Sequence, residues 1–516
     1  MSIPKLFSPG PVMVRSNVRN ALLHYDICHR SSEFEELFAD TQKKINLLMG
    51  ADQTYFSMVI SGSGTSANET VLSSLFQEKD QVLLIRNGVF GERLLEIIDK
   101  YQIPKAEVAF PWGTYPDLAV IEEAISTHPE ARVVAMVYHE TSTGMINPVP
   151  EVGKLCRKYG RLFFVDAVSA AGGETIDMAE NHIAVATSVG GKCLGAFPGS
   201  AYICARKTIL ETLTPEQCKN VYLNLYKHYK AARDSCQTPN TPNVNLIWPL
   251  NQALTNLLEE GLENRIARYR RCSAIIRDGF RQMGLRMLLE DHQSNTVTSV
   301  FLPDHVPAPE FLRKMEMRDY IFYLGKGPYA DQNMIQVANM GEIYEQDCYN
   351  MLDVFSACLK TFPDKYLRSE HNLPWKPCRF RCLNAKFLFI QLVNGITERF
   401  INTRINRTRA TLSDTRNKVF VSTFFADTTY HCITILICPA LKINCTIFDT
   451  AHEADLSAIF PDQFRKIIGF HTSLPYIDPH LNHRRNQCCC VTVRMMDNQL
   501  NAMTVIISVN FFIRFK

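Results

Sequence analysis

The sequence lacks the long apolar runs and the charge excess that mark membrane proteins and nucleic-acid-binding proteins. No stretch reaches the ~18 uninterrupted apolar residues of a membrane span, and no basic segment followed by an apolar one opens the chain. The formal net charge is only +3, and in the first 365 residues the scattered Lys and Arg alternate with acids. We therefore expect a soluble, cytoplasmic protein with no membrane partner and no nucleic-acid partner.

Regularly paired cysteines are also scarce. The chain has 17 cysteines, yet the first nine stand singly within apolar or helical patterns, which favours reduced thiols over a disulfide scaffold. Near the end, Cys378 and Cys382 form one C-x3-C pair, and Cys488 to Cys490 run together. A structural zinc site usually needs two regularly spaced pairs, so we expect no metal site.

Strand and helix patterns alternate from residue 55 to residue 205, which predicts an α/β fold with a mostly parallel, doubly wound sheet. A long helix from about Ile247 to Met283, kinked near Gly261, then leads into a small α+β unit. A chain of 516 residues exceeds the size at which a single core stops growing. We therefore expect an N-terminal segment and a large domain in residues 1–262, and a small domain in residues 263–366.

Residues 367–516 have a different character. Residues 376–418 are rich in Lys and Arg with few acids, and short β-rich pieces follow without a repeat, a helical period or a known motif. We expect a poorly ordered extension of unknown fold. It is either a small partner-binding appendage or sequence with no selected fold, and the lack of pattern favours the second.

Two residues point to the chemistry of the large domain. Lys192 stands among small residues in S-V-G-G-K-C-L-G-A-F-P-G, and Asp166 ends the apolar run R-L-F-F-V-D. A buried lysine and a buried carboxylate at strand ends favour pyridoxal phosphate, because its aldehyde needs an amine and its ring nitrogen needs an anionic partner. The alternative for these two segments is a structural Asp–Lys pair at a sheet edge.

An anion site is predicted where the strand Y-F-S-M-V-I passes into S-G-S-G-T and then a helix. There the amides of Ser63, Gly64 and Thr65 can point inward, and the absence of a P-loop lysine favours a cofactor monophosphate over ATP. Later loops bring Phe90 and the run H-E-T-S-T-G toward the same sheet edge. Phe90 could stack on a planar cofactor or simply pack in the core, and the polar run could be only a cap and turn.

Taken in order, the motifs resemble the class V, fold-type I pyridoxal-phosphate aminotransferases, in the branch of alanine-glyoxylate and 2-aminoethylphosphonate transaminases. The resemblance covers roughly residues 5–362. The motifs that carry it are S-P-G-P-V-M-V, D-I-C-H-R-S-S-E-F, S-G-S-G-T, N-G-V-F-G-E-R, H-E-T-S-T-G-M-I-N-P, F-V-D-A-V-S, G-G-K-C-L-G-A-F-P-G and N-M-G-E-I.

The resemblance implies a role for each matching residue. Lys192 would bond the cofactor covalently and transfer the proton, and Asp166 would pair with the ring nitrogen. Ser63, Gly64 and Thr65 would hold the phosphate, Phe90 would stack on the ring, and Ser142 or Thr143 would contact the region of the ring hydroxyl. Thr241 would reach the cofactor phosphate of a neighbouring subunit, which implies a homodimer; its alternative role is that of a plain turn residue.

Two departures from the family pattern are present, and the second concerns the substrate. Gly191 stands where the family commonly has Gln or Asn, and Gln336 replaces an arginine that grips the substrate's acid. A glutamine at 336 forgoes a charge-assisted contact worth roughly 1.5 to 3 kcal/mol. We therefore expect Gln336 and Arg30 on the substrate side. The missing cation would come from Arg15, Arg30, Arg93 or Lys326, or the main substrate is not an ordinary α-amino acid.

The segments D-I-C-H-R-S-S-E-F-E-E-L-F and I-S-G-S-G-T-S-A-N-E-T are most similar to those of 2-aminoethylphosphonate transaminases. The expected reaction interconverts 2-aminoethylphosphonate and phosphonoacetaldehyde, with an amino and keto acid pair such as alanine and pyruvate. A rival is an alanine-glyoxylate or serine-pyruvate transaminase, against which Gln336 counts. A third alternative, a cofactor-binding protein without turnover, is motivated by Gly191 and Gln336 but opposed by the intact Lys192 and Asp166.

Overall fold

The computed structural model describes residues 3–362 and, beyond them, the backbone of six short strands between residues 420 and 505. The strands of residues 3–362 are β1 Lys5–Leu6, β2 Tyr55–Gly62, β3 Gln81–Arg86, β4 Lys105–Ala109, β5 Ala131–Val137, β6 His139–Glu140, β7 Met145–Ile146, β8 Leu162–Asp166, β9 Val185–Val189, β10 Gly199–Arg206, β11 Arg286–Met287, β12 Val297–Phe301, β13 Tyr320–Ile321, β14 Tyr323–Leu324 and β15 Met334–Ala338.

The helices of the same residues are α1 Ser16–Asn20, α2 Ser32–Leu48, α3 Gly64–Leu75, α4 Val89–Lys100, α5 Leu118–Thr127, α6 Val149–Lys158, α7 Lys207–Leu210, α8 Leu225–Ser235, α9 Val244–Glu260, α10 Leu262–Gln282, α11 Ala308–Glu316 and α12 Glu345–Leu359. Short 3-10 helices cover Ala21–Leu23 and Gly327–Gln332. Among the described residues, no helix combines the length and apolarity needed to cross a bilayer.

A seven-stranded sheet in the order β2-β10-β9-β8-β5-β3-β4 forms the centre of the large part. Only β10 runs antiparallel to its neighbours, so the predicted mostly parallel sheet is confirmed. Strands such as V-A-T-S-V of β9 are buried at every residue, because helices cover both faces of a parallel sheet. The resulting core includes residues from Val18 to Leu257. The six strands other than β10 are parallel, so their carboxyl ends lie at one edge of the sheet.

A smaller antiparallel sheet in the order β11-β12-β15-β14 packs with α10, α11 and α12 around a second core. The expected small α+β unit is therefore present. Phe7 belongs to this second core, and β1 pairs in parallel with β13, so the start of the chain packs against the small sheet. The domain border proposed at residue 262 stays a prediction, and the border at 366 lies outside the described residues.

The helix expected from about Ile247 to Met283 is divided at the residue where a kink was predicted. Helix α9 ends at Glu260 and α10 begins at Leu262, with Gly261 between them at φ 85°. Glycine adopts this left-handed region without the steric cost that a Cβ brings. The change of direction turns the chain from the large sheet to the small one.

Beyond residue 373 the structure describes six strands: β16 Phe420–Ala426, β17 His431–Ile437, β18 Lys442–Ile447, β19 Ile468–Phe470, β20 Val491–Met496 and β21 Thr504–Val505. β16 and β17 form an antiparallel pair, and β19-β18-β20-β21 form a sheet. The poor order predicted for residues 367–516 concerns residues that otherwise lie outside the described part, as do Cys378, Cys382 and Cys488 to Cys490.

Candidate active site

The carboxyl edge of the large sheet encloses a cavity of about 260 Å³. Because loops that follow parallel strands meet at the same edge, residues distant in sequence converge there. Six residues predicted for the site line this cavity: Ser63, Gly64, Thr65, Phe90, Asp166 and Lys192. The lining also includes Gly10, Asn68, Arg93 and Gly191.

Lys192 follows β9 and places its amine in the cavity. Its Nζ donates a hydrogen bond to the carbonyl oxygen of Pro9. A Cβ on Gly10 would lie 2.6 Å from this Nζ, and the backbone φ of 109° at Gly10 favours glycine. Burial, reinforced by the positive charge of Lys326, lowers the pKa of Lys192 to about 8. The amine therefore loses its proton much more readily than an exposed lysine.

Asp166 is the last residue of β8, and its carboxylate is buried with only neutral donors in contact. Oδ2 accepts a hydrogen bond from Nδ2 of Asn68 at 2.6 Å, and Oδ1 accepts one from the backbone N–H of Val168 at 2.9 Å. Burial raises the pKa of Asp166, although these bonds and the charges of Arg93 and Lys192 oppose the rise. A cationic group bound in the cavity would hold it as the carboxylate.

The predicted anion site lies at the N-terminus of α3, where Ser63 is the extended N-cap residue. The first amides of a helix have no intrahelical acceptor, and the helix dipole favours negative charge at this end. Gly64 is required here because a Cβ would come within 2.5 Å of the Val168 side chain. Nη1 of Arg93 reaches Oγ1 of Thr65 at 3.4 Å, which adds a cation to the same end of the cavity.

Two cations lie beside the Phe90 ring, and of these Arg93 also lines the cavity. The guanidinium of Arg93 lies 5.0 Å from the centre of the Phe90 ring, and Nζ of Lys326 lies 4.9 Å from it. Within the part of the chain that the structure describes, neither cation forms an ion pair with an acid. The cavity therefore has an excess of positive charge.

Glu140 organises the loop that presents Phe90. Its fully buried carboxylate accepts backbone N–H bonds from Phe90 at 3.2 Å and Gly91 at 3.1 Å, at the start of α4. Ser142 donates to this carboxylate, and its Oγ accepts from the N–H of Val89 at 3.1 Å. Gly88 leaves room for the acid, because a Cβ there would lie 2.4 Å from the carboxyl carbon.

Several predicted residues are not brought into the cavity lining. Ser142 holds Glu140, and Oγ1 of Thr143 donates to the Glu140 carbonyl at 3.1 Å. Arg30 is exposed and donates to the carbonyls of Thr238 and Pro239.

Three further residues considered for the site also lie outside the cavity lining. Thr241 is exposed. Gln336 is fully buried in β15, outside the lining. Arg15 is ion-paired with Glu342 at 3.2 Å and Glu260 at 3.5 Å. The site roles of Ser142, Thr143, Thr241, Arg30 and Gln336 stay predictions.

Gly191 lines the cavity beneath Pro198. A Cβ at this position would lie 2.9 Å from the Pro198 nitrogen and 3.0 Å from its Cα, both of them backbone atoms. The Gln or Asn expected from the resemblance would not fit without a backbone shift. The local packing thus explains this departure.

Sequence reasoning assigned no site role to Gly10, Asn68 or Glu140. Asn68 had a usable signal, because it lies four residues after Gly64 on α3 and therefore on the same helical face. Glu140 was part of a quoted motif, but only the structure shows its carboxylate capping α4. Gly10 reaches the cavity by a long-range contact with Lys192, which no local pattern reveals.

Comparison with known proteins places this geometry among aminotransferases. The sequence model of the class V aminotransferase family matches residues 14–313. An uncharacterised aminotransferase of Methanocaldococcus jannaschii is 32% identical over 357 residues, covering 69% of this chain and 92% of the relative.

Two further similarities concern named enzymes. A 2-aminoethylphosphonate–pyruvate transaminase of Salmonella schwarzengrund is 30% identical over 355 residues, covering 67% of this chain and 95% of the relative. The crystal structure of an alanine–glyoxylate aminotransferase from Nostoc sp. aligns with a TM-score of 0.65 at 25% identity, covering 70% of this chain and 96% of that one.

Proposed function

The chain belongs to the class V aminotransferase family, and we propose that it interconverts 2-aminoethylphosphonate and phosphonoacetaldehyde, with a partner pair such as alanine and pyruvate. It is a pyridoxal-phosphate-dependent aminotransferase. The amino and keto substrates of such an enzyme are small molecules. The choice of the phosphonate substrate is the part of this assignment that needs support from the cavity.

The residues of the cavity fit pyridoxal phosphate. Asp166 is buried without a contacting cation, which suits a protonated ring nitrogen. The amides that follow Ser63 at the start of α3 suit a phosphate. Phe90 supplies an aromatic face, and Lys192 supplies an amine of lowered pKa. We propose that these residues hold the cofactor's ring, phosphate and aldehyde.

When bound, pyridoxal phosphate supplies an aldehyde that accepts the substrate's nitrogen and a ring that accepts the electron pair released at the neighbouring carbon. The amine of Lys192 takes the proton from the substrate carbon that bears the nitrogen. With a pKa of about 8, a substantial fraction of its Nζ is unprotonated in mildly alkaline solution and can act as a base. Asp166, held by hydrogen bonds from Asn68 and Val168, would pair with the protonated ring nitrogen, whose positive charge would keep it a carboxylate.

The single observation that carries the substrate assignment is the charge of the cavity. Among the described residues, Lys192 and Arg93 line it with Asp166 as the single acid, and Lys326 lies outside the lining, 4.9 Å from the ring centre of the lining residue Phe90. A cofactor phosphate alone leaves cations for a second anion, and a phosphonate can carry two negative charges where a carboxylate carries one. The named Salmonella relative, at 30% identity, supports the same substrate.

An alanine-glyoxylate or serine-pyruvate type of reaction is the second candidate. It is favoured by the similarity to the Nostoc aminotransferase. The uncharged Gln336, buried outside the cavity lining, counts against it, because this residue offers no charge-assisted contact to the acid of a small α-amino acid. The third alternative, cofactor binding without turnover, is opposed by the presence of both Lys192 and Asp166 in the cavity.

We further propose a homodimer in which Thr241 contacts the cofactor phosphate of the neighbouring subunit. Its exposure on this chain, outside the cavity lining, supports such a role. Arg30 would hold the preceding loop through the carbonyls of Thr238 and Pro239. Sedimentation of the wild type and of Thr241→Ala, together with their affinities for the cofactor, tests this assignment. A monomeric active enzyme would contradict it.

The substrate assignment is tested with purified full-length enzyme loaded with pyridoxal phosphate. Incubation with 2-aminoethylphosphonate and pyruvate should yield equal amounts of phosphonoacetaldehyde and alanine. Phosphorus NMR measures the aldehyde, and chromatography measures alanine. Lys192→Ala serves as the inactive control. Turnover of alanine with glyoxylate, but no aldehyde from 2-aminoethylphosphonate with any keto acid, would replace this proposal by the second candidate.

A further inference from the structure

We infer that Lys326 binds the acidic group of the substrate, in place of the arginine that Gln336 replaces. The identity of that group as a phosphonate rests on the proposed function. Lys326 belongs to the small α+β part, whereas Lys192 belongs to the large sheet, so the substrate would be held between the two.

Gln336 cannot serve as the acid-binding residue in its present position. It is fully buried, and its Nε2 donates to the carbonyl oxygen of Thr141 at 2.6 Å and to Oγ of Ser299 at 3.2 Å. Both donor hydrogens of the amide are therefore used within the protein. Its Oε1 has no hydrogen-bond partner among the described residues, and an acceptor oxygen would repel an anion.

The fold delivers Lys326 from the strand next to Gln336. Tyr323 of β14 faces Gln336 in the antiparallel register, and β14 ends two residues before Lys326. The following turn packs against the large part of the protein. A Cβ on Gly327, at φ 53°, would overlap the Trp112 ring at 2.2 Å, and the Tyr329 hydroxyl donates to the Trp112 carbonyl at 2.7 Å. These contacts hold Lys326 over Phe90.

The charges around Lys326 leave it in need of an anion. Burial and the nearby guanidinium of Arg93 lower its pKa, and the carboxylate of Glu140 only partly opposes them. Glu140 is already bonded to the N–H groups of Phe90 and Gly91 and to Ser142. A partly buried cation without a contacting acid is stabilised by a bound anion, because the anion offsets the loss of hydration.

The other three candidate cations have other contacts. Arg15 is ion-paired with two glutamates, and Arg30 donates to backbone carbonyls away from the cavity. Arg93 reaches Oγ1 of Thr65, at the end of the cavity that suits the cofactor phosphate. Lys326 is thus the candidate whose charge is left for the substrate.

The experiment compares Lys326→Gln, Lys326→Arg and Lys360→Gln in the full-length holoenzyme. Lys360 is an exposed lysine at the end of α12, and its substitution controls for the loss of one positive charge from the small part. We expect Lys326→Gln to raise the KM for 2-aminoethylphosphonate about 10- to 100-fold, as for loss of a charge-assisted bond, with kcat changed less than about threefold. Lys326→Arg should recover most of the affinity, and Lys360→Gln should match the wild type.

A second measurement does not depend on turnover. Phosphonoacetate, an inert anion, should bind the wild type and Lys360→Gln equally and Lys326→Gln about 10- to 100-fold more weakly, as measured by calorimetry. Wild-type turnover of 2-aminoethylphosphonate with an unchanged KM in Lys326→Gln would overturn the inference while leaving the proposed function intact. Absence of that turnover, with phosphonoacetate binding still dependent on Lys326, would overturn only the proposed function. A fall in kcat alone, with both affinities unchanged, would assign Lys326 a structural role and overturn the inference.

Discussion

The cofactor side and the substrate side of the cavity differ in how much local sequence determines them. On the cofactor side, Ser63, Asp166 and Lys192 each stand just beyond or at the end of a strand of one sheet. On the substrate side, Nε2 of Gln336 donates to Thr141 and Ser299 outside the cavity lining, while a turn that packs on Trp112 holds Lys326 beside Phe90. Residues that follow parallel strands converge by topology, whereas the substrate side depends on how two sheets dock.

The same contrast appears in the tolerance expected for substitutions. Cofactor-side residues have buried partners at short distances, so their loss should affect the chemistry directly. Substrate-side residues should alter affinity or only stability. The following changes test that difference, beginning with the largest expected effect.

Replacing Lys192 should remove activity. Lys192→Ala deletes the amine that we assign to the proton transfer, and kcat should fall at least about 1000-fold. Lys192→Arg keeps a positive charge but has no readily deprotonated amine, so it should be equally impaired. Steady-state kinetics with thermal melting as a folding check measures both. Turnover near the wild-type level in either variant would contradict the assignment.

Replacing Gly10, which lies in the N-terminal segment, should displace the amine of Lys192. Gly10→Ala places a Cβ 2.6 Å from Nζ at a backbone φ of 109°, and we expect kcat to fall about 10- to 100-fold because the amine is displaced. Gly284→Ala is the matched control, since it has φ 72° but no atom within 4 Å of the added Cβ. Both variants should lose stability, but only Gly10→Ala should lose activity. Equal activities would show that Gly10 matters for the backbone alone.

Removing the donor to Asp166 should change the pH dependence. The pKa of Asp166 is raised by burial, and the bond from Asn68 opposes that rise. Asn68→Ala should therefore raise it further, so that the carboxylate is protonated, and activity lost, at higher pH on the acid side of the profile. We expect about a tenfold fall in kcat near neutrality.

The control for that change is Asn256→Ala. Asn256 is also buried, but its amide bonds with Asn17, away from the cavity lining. It should lose stability while its pH–rate profile stays that of the wild type. A pH–rate profile that shifts equally in both variants would contradict the prediction that Asn68 controls the pKa of Asp166.

Replacing Gln336 should have the smallest catalytic effect. Because its amide bonds Thr141 and Ser299 outside the cavity lining, Gln336→Ala should change the KM for the amino donor less than about threefold and cost about 1 to 3 kcal/mol of unfolding free energy. Gln42→Ala, which removes a buried amide bonded to the Ser57 carbonyl, is the matched control. A large increase in KM in Gln336→Ala but not in Gln42→Ala would contradict this prediction and indicate that Gln336 binds the substrate.

Local sequence was sufficient for the α/β class, the mostly parallel sheet and six lining residues of the cavity, because alternating strand and helix patterns bring loop residues to one edge. The break at Gly261 was also predictable, since glycine readily ends a helix. Local sequence was not sufficient for Gly10, Glu140 or the surroundings of Gln336. Their positions follow from contacts between distant segments.

By itself, the sequence determined which residue types follow the strands, and hence a lysine, a carboxylate and a glycine-containing helix N-terminus at one sheet edge. Only the tertiary structure decided how the small sheet meets that edge. It buries Gln336 against Thr141, packs the turn at Gly327 on Trp112, and places Lys326 beside Phe90, where no acid of the described residues forms an ion pair with it. The physical reason is that strand order fixes the cofactor side, whereas side-chain packing between the two parts positions the charge available to the substrate.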